Sequence, residues 1–272
     1  MDRKQEELDR QRRTELMKKN AEASKKAEQE RRDKEKKQKA SGIEATKKNE
    51  MEALANSSQA TKKFLMEIMG PLCPKDINPS GVEWPPGATR IVAKSVYDYN
   101  HIESVCLNRK GINDEEFEAL IIAMMKNKSV RKLEMEGNSI EAAKSLERLT
   151  EFIKTNDTLQ HLSLECNIRL YGNATKDQFK LLLDALRENE SLLSVNFSFC
   201  GLMDDVLPKF KDMLFHNSTI INLQIYSPLL NDTISLRKIQ QLVMANQTEF
   251  HKERKQEKEE RLAMMTEFER LY

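Results

Sequence analysis

The nine residues Leu159-Gln160-His161-Leu162-Ser163-Leu164-Glu165-Cys166-Asn167 decide how the rest of the chain is read. Their apolar positions fall as L-x-x-L-x-L, and the alternation through Leu162 and Leu164 is the period of a short strand that buries one face. The same spacing recurs at Ile102-x-x-Val105-x-Leu107, Val130-x-x-Leu133-x-Met135, Leu192-x-x-Val195-x-Phe197 and Ile220-x-x-Leu223-x-Ile225. In chain order the first positions lie 28, 29, 33 and 28 residues apart, a repeat of nearly constant length. Between the runs sit segments of helical period: Phe117, Leu120, Ile121 and Met124; Leu146, Leu149, Phe152 and Ile153; Phe179, Leu182, Leu183 and Leu186; Phe210, Met213 and Leu214. Each unit is a strand followed by a helix, too small to cover its own apolar face, so the units must stack.

The helix ends repeat as well. Asn127-Lys-Ser-Val, Asn156-Asp-Thr-Leu, Asn189-Glu-Ser-Leu and Asn217-Ser-Thr-Ile precede successive strands, and Asn246-Gln-Thr follows the last helical run. These triplets have the form of glycosylation acceptors. Their regular placement points instead to repeat structure, with an Asn that ends each helix in the left-handed conformation and bonds local backbone.

The pattern LxxLxLxxN, followed by a helix and a closing Asn-x-Ser/Thr, resembles the leucine-rich repeats of the ribonuclease-inhibitor-like superfamily, which includes tropomodulin, the Ran GTPase-activating protein and the leucine-rich subunit of the axonemal dynein regulatory complex. The resemblance implies an α/β fold: a solenoid of about five strand-helix repeats with a parallel inner sheet, extended by long charged helices at both ends. It places Asn138, Asn167 and Cys200 on the family's structural ladder, where Lys110 and Pro228 depart from the pattern as terminal repeats do. The insertion around Arg169-Leu-Tyr-Gly-Asn lengthens the third repeat and is expected to bulge outward as a loop.

Four zones follow from composition. Residues 1–50 hold 17 basic and 12 acidic side chains with Leu8, Leu16, Met17 and Ile43 as the large apolar ones, so they form either a disordered arm or a solvated single helix laced with pairs such as Glu28/Arg32 and Glu30/Lys34. Residues 51–96 give a capping helix closed by Gly70-Pro71 and a connector carrying five of the seven prolines, onto whose core Trp84 is expected to pack. The repeat domain covers 97–248. Residues 249–272 read as a charged helix whose apolar end, Met264, Met265, Phe268, Leu271 and Tyr272, either caps the last repeat or enters a partner's groove.

With 45 Lys and Arg against 44 Asp and Glu the formal charge is +1, so no net field draws the chain to nucleic acid or to an anionic membrane. The longest apolar runs are far shorter than the ~20 residues of a membrane span, and MDRKQEELDR has the form of neither a secretory signal nor a mitochondrial presequence. A cytosolic, cytoskeletal or nuclear protein remains, and the resemblance together with the architecture implies the cytoplasm and the cytoskeleton, with a cilium or flagellum as one setting. Cys73, Cys106, Cys166 and Cys200 show no metal-ligand spacing, and no cofactor or metal is expected. No phosphate loop, dinucleotide fingerprint or nucleophile elbow occurs, and His161, Ser163 and Glu165 on one strand lack the geometry of a triad, so the chain is expected not to be an enzyme.

On a stacked sheet, alternate strand positions project from the inner face. These are Lys132, Glu134 and Glu136; His161, Ser163 and Glu165; Ser194, Asn196 and Ser198; and Asn222, Gln224 and Tyr226, a candidate partner-binding face with an acidic centre. The expected function is a protein-protein interaction scaffold within a large assembly. The favoured setting is a microtubule-based structure such as the axoneme, with tubulin as a contact. The alternative is an actin-filament regulator of the tropomodulin kind, and a small-GTPase activator acting through Arg109 stands third.

Overall fold

The computed structural model describes residues 57–271. Helix α1 (Gln59–Met69) leads into β1 (Asp76–Ile77), α2 (Ala88–Asp98), β2 (Ser104–Cys106), α3 (Asp114–Met124), β3 (Lys132–Glu134), α4 (Ala143–Thr155), β4 (His161–Ser163) and α5 (Lys176–Glu188). Strand β5 (Ser194–Asn196), a 3-10 turn (Asp204–Val206), α6 (Leu207–His216), β6 (Asn222–Gln224) and α7 (Thr233–Leu271) complete the order. The six strands form one parallel sheet in chain order, and consecutive helices pack on one another in the same sequence. This is a leucine-rich-repeat-like α/β solenoid.

Two features extend the sequence reading. β1 is a sixth strand, hidden in the proline-rich connector because it is two residues long; it pairs with β2 through Glu103 and Ser104 N–H groups donated to the Lys75 carbonyl. A paired strand thus precedes residue 97. At the other end α7 starts at Thr233 and runs unbroken past Glu249 to Leu271. The charged arm 1–50, the start of the capping segment and the side chains of the apolar C-terminal end lie outside the described residues.

The core is one continuous column. The central strand residues Val105, Leu133, Leu162 and Val195 are buried, as are Phe117, Phe152, Phe179 and Phe210 from the helices. Phe179 stands at the centre of an edge-to-face aromatic stack, 5.1 Å from Phe197, 5.3 Å from Tyr171 and 6.2 Å from Phe210. Trp84 packs onto the N-terminal end of this core, edge-on to Phe64, and its indole N–H donates to the Thr89 hydroxyl.

The helix ends depart from expectation. Asn156, Asn189 and Asn217 end their helices with extended backbone, φ between −80° and −99°, so the left-handed conformation is not what selects them. Gly70 is likewise extended at the end of α1. The carboxamide is what the position requires. Asn189 Oδ1 accepts from the Ser191 and Leu192 N–H groups at 3.0 and 2.8 Å, while Nδ2 donates to the Ile153 and Asn156 carbonyls of the preceding repeat at 2.9 and 3.0 Å. Asn127 and Asn217 make the same four contacts in their own repeats, and Asn246 donates to the Asn217 and Ile220 carbonyls although its helix does not stop there. Asn127, Asn156, Asn189 and Asn217 are at most 8% exposed, so these four triplets are structural.

Left-handed backbone appears elsewhere, on one equivalent residue just after each of four strands: Arg109, Gly137, Cys166 and Phe199, with φ of 56°, 64°, 60° and 57°. One of the four is glycine, which hides the position from a sequence search. The long third repeat turns inward and does not bulge. Leu170 and Tyr171 are buried, Tyr171 donates its hydroxyl to Asp205 at 2.9 Å, and its loop lies so close to Gly201 that a Cβ there would sit 2.7 Å from the Ile168 carbonyl oxygen.

Replacing Asn189 by Ala strands two carbonyls and two N–H groups at a buried junction, each worth about 1–3 kcal/mol when unmet. The variant is expected to lose roughly 3 kcal/mol or more of unfolding free energy in urea titration, and a loss under about 1 kcal/mol contradicts the role given to the carboxamide.

Candidate functional site

The register of the sheet arranges the projecting residues in rows. Pairing of β3 to β6 aligns Lys132, His161, Ser194 and Asn222, then Glu134, Ser163, Asn196 and Gln224. A third row, Asn108, Glu136, Glu165, Ser198 and Tyr226, follows the strands, where backbone bonds such as Cys166 N–H to the Ser198 carbonyl continue the stacking. A shallow depression of about 270 Å³ crosses this face. Asn108, Glu134, Glu136, His161, Ser163, Glu165, Ser194, Asn196, Asn222 and Gln224 all line it, so the fold brings most of the sequence-predicted face together. Lys132 and Tyr226 are not part of its lining, and Ser198 is buried, its hydroxyl oxygen accepting from the Tyr226 N–H.

The charges on this face are largely matched from within. Lys132 pairs with Glu134 at 2.9 Å, and Arg109 pairs with Glu136 at 2.9 Å. Burial alone would raise the Glu134 carboxyl, but the Lys132 ammonium and the Cys106 thiol outweigh it and hold the group below its ordinary value. Glu165 accepts from Asn196 Nδ2 at 2.7 Å and, among the described residues, has no cation within ion-pair distance. The acidic centre thus reduces to one carboxylate that is not paired to a cation, flanked by amides and hydroxyls.

The ladder residues sit beneath this face, at the strand exits. Asn138 Oδ1 accepts from the Lys110 and Ile112 N–H groups, and its Nδ2 donates to the Leu107 and Met135 carbonyls. Asn167 repeats the pattern toward the Met135 and Leu164 carbonyls. Cys200 donates its thiol to the Leu164 carbonyl at 3.0 Å, and burial pushes its pKa up to about 12. Lys110 departs from the ladder because its side chain is used elsewhere. Its ammonium donates to the Pro79 and Val82 carbonyls and ties down the connector, 5.8 Å above the Trp84 ring. Beside Pro228, Ser227 donates to the Leu202 carbonyl.

Among the described residues Glu136, Glu165 and Cys166 bring possible ligand atoms within 4.8 Å of one another. Two hard carboxylates and one soft thiol are a poor metal set, the Arg109 guanidinium already occupies Glu136, and burial with the two carboxylates pushes the Cys166 thiol up. No hydrogen bond links His161 to Ser163 or to Glu165 among the described residues. A residue that the strand pattern did not single out is Phe199, whose exposed ring meets that of Tyr226 at 4.9 Å at the C-terminal end of the face. No sequence signal marked it, because the left-handed position it fills is occupied by unrelated residue types in the other repeats.

No family model matches the chain, and no curated protein matches it. The C-terminal domain of tropomodulin from Caenorhabditis elegans is a similar solved structure, with 15% sequence identity, TM-score 0.50, and alignment over 60% of this chain and 97% of that one. Another is the protein described as leiomodin-1 actin-binding site 2, at 14% identity and TM-score 0.49, over 75% of this chain and 99% of that one. At these identities the likeness concerns the fold. No helix among the described residues is long and apolar enough to cross a membrane.

The thiols report the burial pattern directly. At pH 8, iodoacetamide is expected to modify Cys106 and Cys166 in the native chain and to spare Cys73 and Cys200, with all four modified after denaturation. Peptide mass spectrometry reads the order, and rapid native labelling of Cys200 contradicts its place in the ladder.

Proposed function

We propose that this chain is a non-enzymatic protein-binding solenoid of the cytoskeleton, and that a partner docks on the exposed sheet face. One observation carries the proposal: five strands in register present a continuous, half-exposed surface of amides, hydroxyls and internally matched charges, which supplies directional contacts without a reactive group. Such a surface selects by shape and hydrogen bonding, and its weak net charge gives little long-range steering.

Actin filaments are placed first as the partner. Support comes from the likeness of fold to the tropomodulin C-terminal domain, which falls on the actin-regulating member of the superfamily that the repeats resemble. The axonemal setting with tubulin contact rests on the charged arm of residues 1–50, which lies outside the described residues, and is placed second. The GTPase-activator reading is weakest, because the Arg109 guanidinium is engaged by Glu136.

Co-sedimentation of the full chain with actin filaments, and separately with microtubules, tests the order. Pelleting with actin that is lost in Ser163→Arg, a substitution on a half-exposed position of the face, is the expected result, with the thermal melt unchanged. Pelleting with microtubules alone reverses the order of partners. Pelleting with neither polymer, or actin pelleting that Ser163→Arg leaves intact, overturns the cytoskeletal partner or the docking face respectively.

A further inference from the structure

Every strand from β2 to β5 is paired on both edges; β6 is paired on one. In the preceding repeats the carbonyl before each strand receives two N–H groups from the next strand, as the Leu193 carbonyl receives those of Ile221 and Asn222 at 2.9 and 3.0 Å. At the last repeat the corresponding carbonyl, Ile221, receives the side chain of Gln247 at 2.7 Å instead. Beyond that single plug no strand of the described residues pairs with the edge. Asn222 and Gln224 direct their backbone groups to β5, so the alternation of a parallel ladder turns those of Leu223 and Ile225 outward.

Below this edge runs a groove of about 620 Å³ between β6 and α7, floored by Leu223, Ile225, Leu230, Leu236, Ile239 and Val243. Gln240, Met244 and Gln247 form its rim, and Met244 is 64% exposed. Among the described residues no charged one lines it, in a chain of which 33% of residues are charged. In the interior repeats the counterparts of Leu223 are sealed: Leu133, Leu162 and Val195 are 0%, 2% and 0% exposed, whereas Leu223 is half-buried. The groove is the stacking surface that the repeats already use for one another, continued to the end of the array and left without its last layer.

We infer that this edge and groove bind an extended, uncharged segment of a partner protein, which adds a seventh parallel strand to the sheet. The occupant's chemistry is set by the continuity of the repeat interface. It needs apolar residues spaced as in Leu192-x-x-Val195-x-Phe197 to cover Leu223, Leu236 and Ile239, and main-chain groups to meet those of Leu223 and Ile225. Charge excludes the chain's own arm, since residues 1–50 carry 17 basic and 12 acidic side chains and the groove offers no countercharge. The groove meets the sheet face along β6, at Asn222 and Gln224, but its apolar floor lies off that face, and the inference stands whichever filament, if either, the face binds.

The probe is a fluorescein-labelled, end-capped peptide of residues 191–198 of this chain, an uncharged strand segment with the required spacing, titrated by anisotropy against the full-length protein. Saturable binding is expected. It weakens by about tenfold or more in Met244→Glu, which puts a charge on the exposed rim without touching the core, and is unchanged in Ser163→Arg on the sheet face. Hydrogen exchange at the Leu223 and Ile225 amides is expected to slow when the peptide is bound. Absence of binding overturns the inference, as does binding that Met244→Glu leaves intact with no slowing at those amides. A dimer in sedimentation that Met244→Glu dissolves, without peptide binding, assigns the groove to a second copy of this chain and likewise overturns it.

Discussion

A carboxamide offers one strong acceptor and two donors from a single rigid plane, and three of the joints between consecutive repeats use that combination, whereas Asn156 bonds within its own repeat. Each helix ends with carbonyls that have no partner inside the helix, and the chain then turns at once into a strand whose first N–H groups are also unmet. Asn127, Asn189 and Asn217 satisfy both sets, reaching back one repeat with Nδ2 and forward two or three residues with Oδ1. The contact is short in space and long in sequence, linking residues 28 to 36 positions apart. It therefore couples neighbouring repeats where their apolar columns alone would slide past one another.

From that joint the remaining architecture follows. Fixed repeat spacing puts strand residues in register, register places Val105, Leu133, Leu162 and Val195 in one buried line, and the alternation of a strand then forces the intervening side chains outward. The sheet face is thus a consequence of the same constraint that holds the core. At the strand exits Asn138 and Asn167 repeat the solution, and Cys200 reproduces one of its bonds with a thiol. At the last repeat the constraint is met in part. Asn246 closes the helix-end joint and Gln247 covers one carbonyl, but among the described residues no further strand seals Leu223.

The interior of the solenoid is legible from sequence because it is written in two registers at once, an apolar strand spacing and a polar helix-end residue with the same offset. What is not legible depends on backbone geometry that many residues tolerate. The left-handed position after β2, β3, β4 and β5 is filled by Arg109, Gly137, Cys166 and Phe199, which share no side-chain chemistry. β1 escapes notice because two residues carry no periodicity. The inward turn of Leu170 and Tyr171 is set by Gly201 in the next repeat, a tertiary contact with no local signature. On the sheet face the positions were readable from alternation, whereas the cancellation of its acidic centre by Lys132 and Arg109 required distances.

The central claim is that the helix-end carboxamides join the repeats into one cooperative body, and amide hydrogen exchange of the native full-length chain tests it most directly. The N–H groups held by those carboxamides, at Val130, Leu192 and Ile220, are expected to exchange as slowly as those of the buried strand centres Leu133 and Val195, through global unfolding. Exchange of the junction amides orders of magnitude faster than the strands would show repeats that open independently, and would contradict the account.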